Sequence, residues 1–284
     1  MSRASHLVRT ALVPLALAAV GCAEDATTQP AGPQAVSVRF AARVNGQPFA
    51  CTRTYTGVGS TNSTIQPLDF RFYVHNVRLV TRGGQEVPLT MTDNVWQRSG
   101  TALLDFENQT GSCTGGTADT NAVVVGTVPA GDYVGLRFTF GIPFAQNHQD
   151  AALAPAPFNY TSLWWNWNGG YKFARLDFAS TGQPQGWFIH LGSTGCNAAS
   201  GTQAPTACSE PNRVEVALTG FEASRNVVVA DLGRLVAQSN VDQNLGGARG
   251  CMSGTTDPEC PTVLAGFGIA VGTTPAAPRF FSMQ

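Results

Sequence analysis

The chain has 284 residues, of which only 12% are charged; its formal net charge is −1 and Lys172 is its sole lysine. That balance, with no basic run, excludes a general nucleic-acid binder, and an apolar share of 43% excludes a disordered chain. Its 31 glycines and 17 prolines interrupt it too often for a helical bundle.

Residues 1–21 read as a signal peptide: Arg3 and Arg9, then an apolar run over Leu12–Val20 that is short for a bilayer span. The run ends in Ala19-Val20-Gly21-Cys22, small residues before a cysteine as in a bacterial lipobox, which marks Cys22 for lipidation. An acylated Cys22 would hold the protein at a membrane surface without a spanning helix. Residues 22–35 are polar, small and proline-containing, and read as a tether. The expected location is therefore periplasm-facing or outer-membrane, as a lipoprotein, with one domain over 36–284.

Within that domain Val36–Val44 alternates and meets Asn45-Gly46, a hairpin-turn signal. Asp69–Val80 is the clearest strand, expected to place Phe70, Phe72 and Val74 on one face and Tyr73, His75, Val77 and Leu79 on the other. Further strands are expected over 122–128, 133–142, 171–178, 186–191, 213–219, 225–230 and 263–271, with one brief helix over 231–238. Strands this frequent, without an amphipathic helix, predict an all-β fold: an antiparallel β-sandwich with long disulfide-stapled loops. The loops 85–116, 143–168 and 194–212 are the segments best able to carry function.

Six cysteines follow Cys22: Cys51, Cys113, Cys196, Cys208, Cys251 and Cys260. An even number in an exported chain reads as three disulfides, with fifteen connectivities open in principle. Cys196–Cys208 and Cys251–Cys260 are close in sequence, and pairing each locally leaves Cys51–Cys113; a bridge of this kind adds about 2–4 kcal/mol. No CxxC occurs, so neither a zinc ribbon nor a thioredoxin-like redox pair is expected.

Beyond the signal peptide the histidines are His75 on a strand, His148 in a loop and His190 at a strand end. Neutral imidazole binds copper, zinc, iron or nickel, and three histidines from separate elements could meet at one metal; packed or backbone-bonded histidines are the plainer alternative. Trp164, Trp165 and Trp167, beside Gly169-Gly170, are more indole than one strand face buries. They could form an aromatic corner, a stacking platform for sugar rings, or a source of an electron or an oxidisable ring. Gly192-Ser193-Thr194-Gly195 is not a nucleophile elbow, because Leu191 stands where the first glycine belongs. HExxH, GxGxxG and a phosphate-binding loop are absent.

Four strings together, Phe72-Tyr73-Val74-His75-Asn76-Val77-Arg78-Leu79, Phe140-Gly141-Ile142-Pro143 with Asn147-His148, Trp165-Asn166-Trp167-Asn168-Gly169-Gly170-Tyr171-Lys172-Phe173, and His190-Leu191-Gly192-Ser193-Thr194-Gly195-Cys196, resemble the MbnP-like family, also called the metallo-mystery-pair four-Cys-motif proteins. The resemblance spans roughly residues 36–271. It implies an exported, copper-linked bacterial protein of the methanobactin-operon type. It also implies a partner, a di-haem peroxidase of the MauG or MbnH type that oxidises a tryptophan to kynurenine. The ligands it implies for copper are His148, His190 and His75, in that order, with kynurenine formed from Trp165 or Trp167; Trp164 looks like an extra. Cys51, Cys113, Cys196 and Cys208 match its four-cysteine pattern, and Cys251 and Cys260 would add a bridge. The implied role is copper homeostasis, as the substrate of that peroxidase and not as an enzyme. The alternative class is a surface module that recognises a glycan or cell-surface ligand through the tryptophan loop.

Overall fold

Alternation in the strand Gln34–Val44 buries Val36, Val38, Phe40, Ala42 and Val44 and leaves the residues between them more exposed. This strand begins at Gln34, inside the segment expected to be tether. It pairs antiparallel with Val123–Val128 and parallel with Val228–Asp231, which in turn pairs with Phe281–Met283, and the result is a six-stranded sheet. Asn45 and Gly46, both at positive φ, close the expected hairpin. The computed structural model describes Met1 and residues 32–166, 168–200 and 203–284. The signal peptide, Cys22, most of the tether and Trp167 lie outside the described residues.

The second, ten-stranded sheet is organised by one long strand, Ser63–Thr81, which pairs with Tyr133–Phe140, Ala174–Ser180 and Thr101–Asp105. The two sheets meet through aromatic rings. Phe40 of the first touches Phe72 and Phe138 of the second, and Phe281 touches Phe72, Phe138 and Phe140. The fold is thus the all-β sandwich that the sequence predicts, and its centre is a phenylalanine core.

Two local expectations are corrected. Asn76 adopts φ 51°, and the four residues from His75 to Arg78 face three from Thr139 to Arg137. This bulge reverses the side-chain alternation, so Val77 and Leu79 turn to the core side with Val74, away from Tyr73 and His75; Leu79 pairs with the buried Leu136. The segment expected as strand 263–271 is mostly the helix Cys260–Phe267, with Pro261 in its first turn and Gly268 at φ 110° as its left-handed cap. The apolar run Val263-Leu264-Ala265 suits either structure, and the end signals decide for the helix.

All three expected disulfides form. Cys51–Cys113 and Cys251–Cys260 are buried. Cys196–Cys208 joins the directly paired residues of the hairpin Thr194–Asn197 and Ala207–Glu210, and both of its cysteines are half-buried. Among the described residues, no helix is long and apolar enough to cross a membrane.

Candidate metal centre

The long strand has a second buried side. Arg71, Tyr73 and His75 point away from the phenylalanine core, under the loop 143–172. The Tyr73 hydroxyl donates to Pro157 O at 2.8 Å and its ring stacks on Phe158, so the loop is fastened to the sheet by both polar and apolar contacts. His75 Nδ1 donates to Gly141 O at 2.8 Å, which leaves Nε2 with the lone pair. Burial holds His75 below the usual histidine range despite that bond, and Arg213 and Arg78 push the same way.

His190 lies on the same face, above a buried charge network. Its Nε2 is 3.0 Å from Asp177 Oδ1. Arg175 Nε reaches Asp177 at 2.7 Å and Asp69 at 3.2 Å, and Asp69 also accepts from Arg71 Nε at 2.9 Å. Burial alone would raise the Asp177 carboxyl; His190 and Arg175 outweigh it and hold the group below the ordinary carboxylate range. For Asp69 burial wins over Arg71 and Arg175 and the carboxyl is raised. Burial likewise pushes Lys172 down to about 8, and it donates to Ser162 O.

The tryptophan loop forms a small hairpin, Trp164–Asn166 against Gly170–Tyr171. Adjacent strand residues face opposite ways, and the two described indoles divide accordingly. Trp164 packs against the core, whereas Trp165 lines a cleft of about 480 Å³ with Ser193, Thr194, Cys196 and Met252. The Trp165 ring rests on Gly192, where a Cβ would come within 2.4 Å of it. Gly192 is two residues beyond His190, and Ser253 Oγ locks this strand end, accepting from Gly192 N and donating to His190 O.

Behind Cys196 stands His148, 6% exposed, just after the short helix Phe144–Asn147. Its neighbour Asn147 is fully buried, and Asn147 Oδ1 accepts from Tyr171 N at 3.0 Å. This orients the amide so that Nδ2 donates to His148 Nε2 at 3.1 Å, and Nε2 therefore carries a lone pair. The same Nε2 is 3.7 Å from Cys208 Sγ. Disulfide, indole and imidazole thus occupy one neighbourhood.

The three histidines do not form one ligand set. Among the described residues, the group whose ligand atoms all lie within 4.8 Å of one another is His148, Cys196 and Cys208. The sulfurs of that group are bonded to each other, so as built it offers one nitrogen donor. His75 and His190 share a face but stand four residues and two strands apart. Each residue adds about 3.3 Å and each strand about 4.8 Å, so one ion cannot reach both.

A family model for MbnP matches residues 33–253. The chain belongs to the MbnP family. Its fold is also that of MbnP from Methylosinus trichosporium, with a TM-score of 0.81, 31% identity, and coverage of 89% of this chain and 99% of that one. No curated protein matches.

Membership in the MbnP family associates the chain with copper, and the donor chemistry agrees. Imidazole nitrogen suits copper. His75 and His190 each have one ring nitrogen tied to a carbonyl or carboxylate, which is how metal-ligating histidines are oriented. Sequence reasoning missed Asn147, Asp177, Met252 and Gly192. Asp177 is a charged residue within an otherwise apolar stretch, which signals a buried partner, whereas Asn147 sits in the polar run 146–150 and carries no such signal. The Gly192 requirement appears only once the indole is seen resting on it.

Proposed function

We propose that this MbnP-family protein is an exported, lipid-anchored copper-binding protein that is not itself an enzyme. It is the substrate of a di-haem MauG- or MbnH-type peroxidase, which oxidises Trp165 to kynurenine for copper coordination in copper homeostasis. The observation that carries the reading is the placement of the Trp165 ring. It is half-buried, open to a cleft that Cys196 also lines, and seated on Gly192 beside the His190 strand end, while His148 Nε2 lies 3.7 Å from Cys208, the bridge partner of Cys196.

An indole nitrogen commits its lone pair to the aromatic ring and ligates poorly. Oxidative cleavage of the C2–C3 bond, with two equivalents of the peroxidase's peroxide supplying two oxygen atoms and leaving as water, followed by hydrolytic loss of C2 as formate, gives kynurenine; its aryl amine and ketone add a nitrogen donor at the cleft. His148 is the first protein ligand in this reading because its Nε2 carries a lone pair, which accepts from Asn147 Nδ2 when no metal is bound, and lies 3.7 Å from Cys208 Sγ. His190 is the second, oriented by Asp177; His75 lies too far along the sheet to join them on one ion. Trp167 is the remaining candidate for the oxidised residue. Exposure of the cleft supports electron transfer to a docked haem partner without entry of the haem.

Peptide mass mapping and Cu(II) titration, with and without the co-produced di-haem enzyme, test this. The expected result is ring-opened Trp165 and tight copper binding only with the enzyme, lost in His148→Ala. Identical mass and copper affinity under both conditions would overturn it.

A further inference from the structure

Two of the three disulfides are sealed in the core, whereas Cys196–Cys208 is half-exposed on a hairpin, shares a cleft wall and touches a histidine. Access is the first requirement for thiol–disulfide exchange, so this bridge is the one a reductant reaches. His148 Nε2, Cys196 Sγ and Cys208 Sγ already lie within 4.8 Å of one another. Met252, in a segment tethered by the Cys251–Cys260 bridge, lines the same cleft as Cys196 and offers a thioether.

We propose that Cys196–Cys208 is a redox gate on a soft-metal site: reduced, the two thiolates and His148 Nε2 bind Cu(I), and oxidised, they do not. An incoming dithiol supplies two electrons and two protons; the S–S bond breaks, Cys196 and Cys208 become thiols, and the dithiol leaves as a disulfide. Cu(I) binding then releases both thiol protons to solvent, and the Asn147 N–H gives up its acceptor on His148. Reoxidation by a disulfide returns two electrons to that oxidant, re-forms the bridge and frees the ion. Thiolate and thioether are the donors that favour Cu(I), with imidazole completing the set. The site goes beyond the function proposed above, because it needs neither a haem partner nor an oxidised indole.

The test uses the full chain produced without a di-haem enzyme, with its disulfides formed and its indoles intact. After brief dithiothreitol treatment and anaerobic desalting, alkylation and peptide mapping should label Cys196 and Cys208 while the four cysteines of the two buried bridges stay protected. The reduced protein should withdraw one equivalent of Cu(I) from its bicinchoninate complex. The oxidised protein and the Cys196→Ser/Cys208→Ser variant should withdraw none at this site. His148→Ala should weaken the reduced protein's affinity by about 10–100-fold, as loss of a metal-site partner does. Because the double variant removes a bridge, circular dichroism monitors its fold; should it unfold, release of Cu(I) on reoxidising the wild-type chain replaces it. Equal labelling of all six bridged cysteines, or no greater Cu(I) uptake by the reduced chain than by the oxidised one, would overturn the proposal.

Discussion

The two sides of the long strand Ser63–Thr81 follow opposite designs. On one, Phe70, Phe72 and Val74 are buried, and the Phe72 ring packs edge to face on Phe40 and Phe281 of the other sheet. On the other, the buried Arg71 and Tyr73 and the half-buried His75 share a face with the buried Asp69, Asp105 and Asp177. Apolar packing is non-directional and tolerant, so the first side specifies the sandwich and nothing more. Buried charges must be paired group by group, so the second side is held in one arrangement, and it is this side that orients the histidines.

The contrast predicts different costs. Phe72→Ala removes a ring that touches Phe40, Phe70, Phe106, Phe140, Phe280 and Phe281. It should cost about 3–5 kcal/mol in denaturant unfolding, while the folded fraction keeps its copper stoichiometry. Asp69→Ala strips the partner of the fully buried Arg71 and should cost a similar or slightly smaller amount, about 3–5 kcal/mol. Unlike the phenylalanine change, it should also disturb the site, seen as weaker copper binding per folded molecule, because Arg175 links Asp69 to Asp177 and so to His190.

A smaller, pH-dependent effect belongs to Asp105. Burial, with Glu107 and Asp69 adding to it against Arg71, pushes its carboxyl up to about 8 from an ordinary 3.8. The folded state therefore binds a proton that the unfolded state has lost, and stability from this group falls as pH rises from about 4 to about 8. Asp105→Asn should flatten that part of the stability curve in urea melts. An unchanged slope would show that the group is ionised in the fold and the polar side less dry than described. Smallest of all, Trp165→Phe should change stability by about 1 kcal/mol or less, since its ring faces the cleft, while Trp164→Phe loses core contact and costs more.

The sandwich was legible because strands and turns follow from alternation and from Asn-Gly and Gly-Gly signals. The bulge at Asn76 was not: a single left-handed asparagine leaves the apolar pattern Val74, Val77, Leu79 ambiguous between faces. The helix at Cys260–Phe267 was readable in Pro261 and Gly268, but its uniformly apolar centre hid the period. At the candidate site the sequence named His148, His190, Trp165 and all three cysteine pairs. It could not show that His75 and His190 diverge, because separation across a sheet depends on register between distant strands. Nor could it show that His148 abuts Cys208, a contact made across sixty residues of chain.

The central claim is that the cleft-facing indole becomes a copper ligand alongside His148. The most direct measurement is peptide mass mapping of residues 164–167 in protein co-produced with a di-haem peroxidase, paired with copper titration of the same sample and of Trp165→Phe. The account predicts ring opening at Trp165, copper bound in proportion to the modified fraction, and loss of that copper in Trp165→Phe. An intact Trp165 in copper-loaded protein, or full-affinity copper binding by Trp165→Phe, would contradict it.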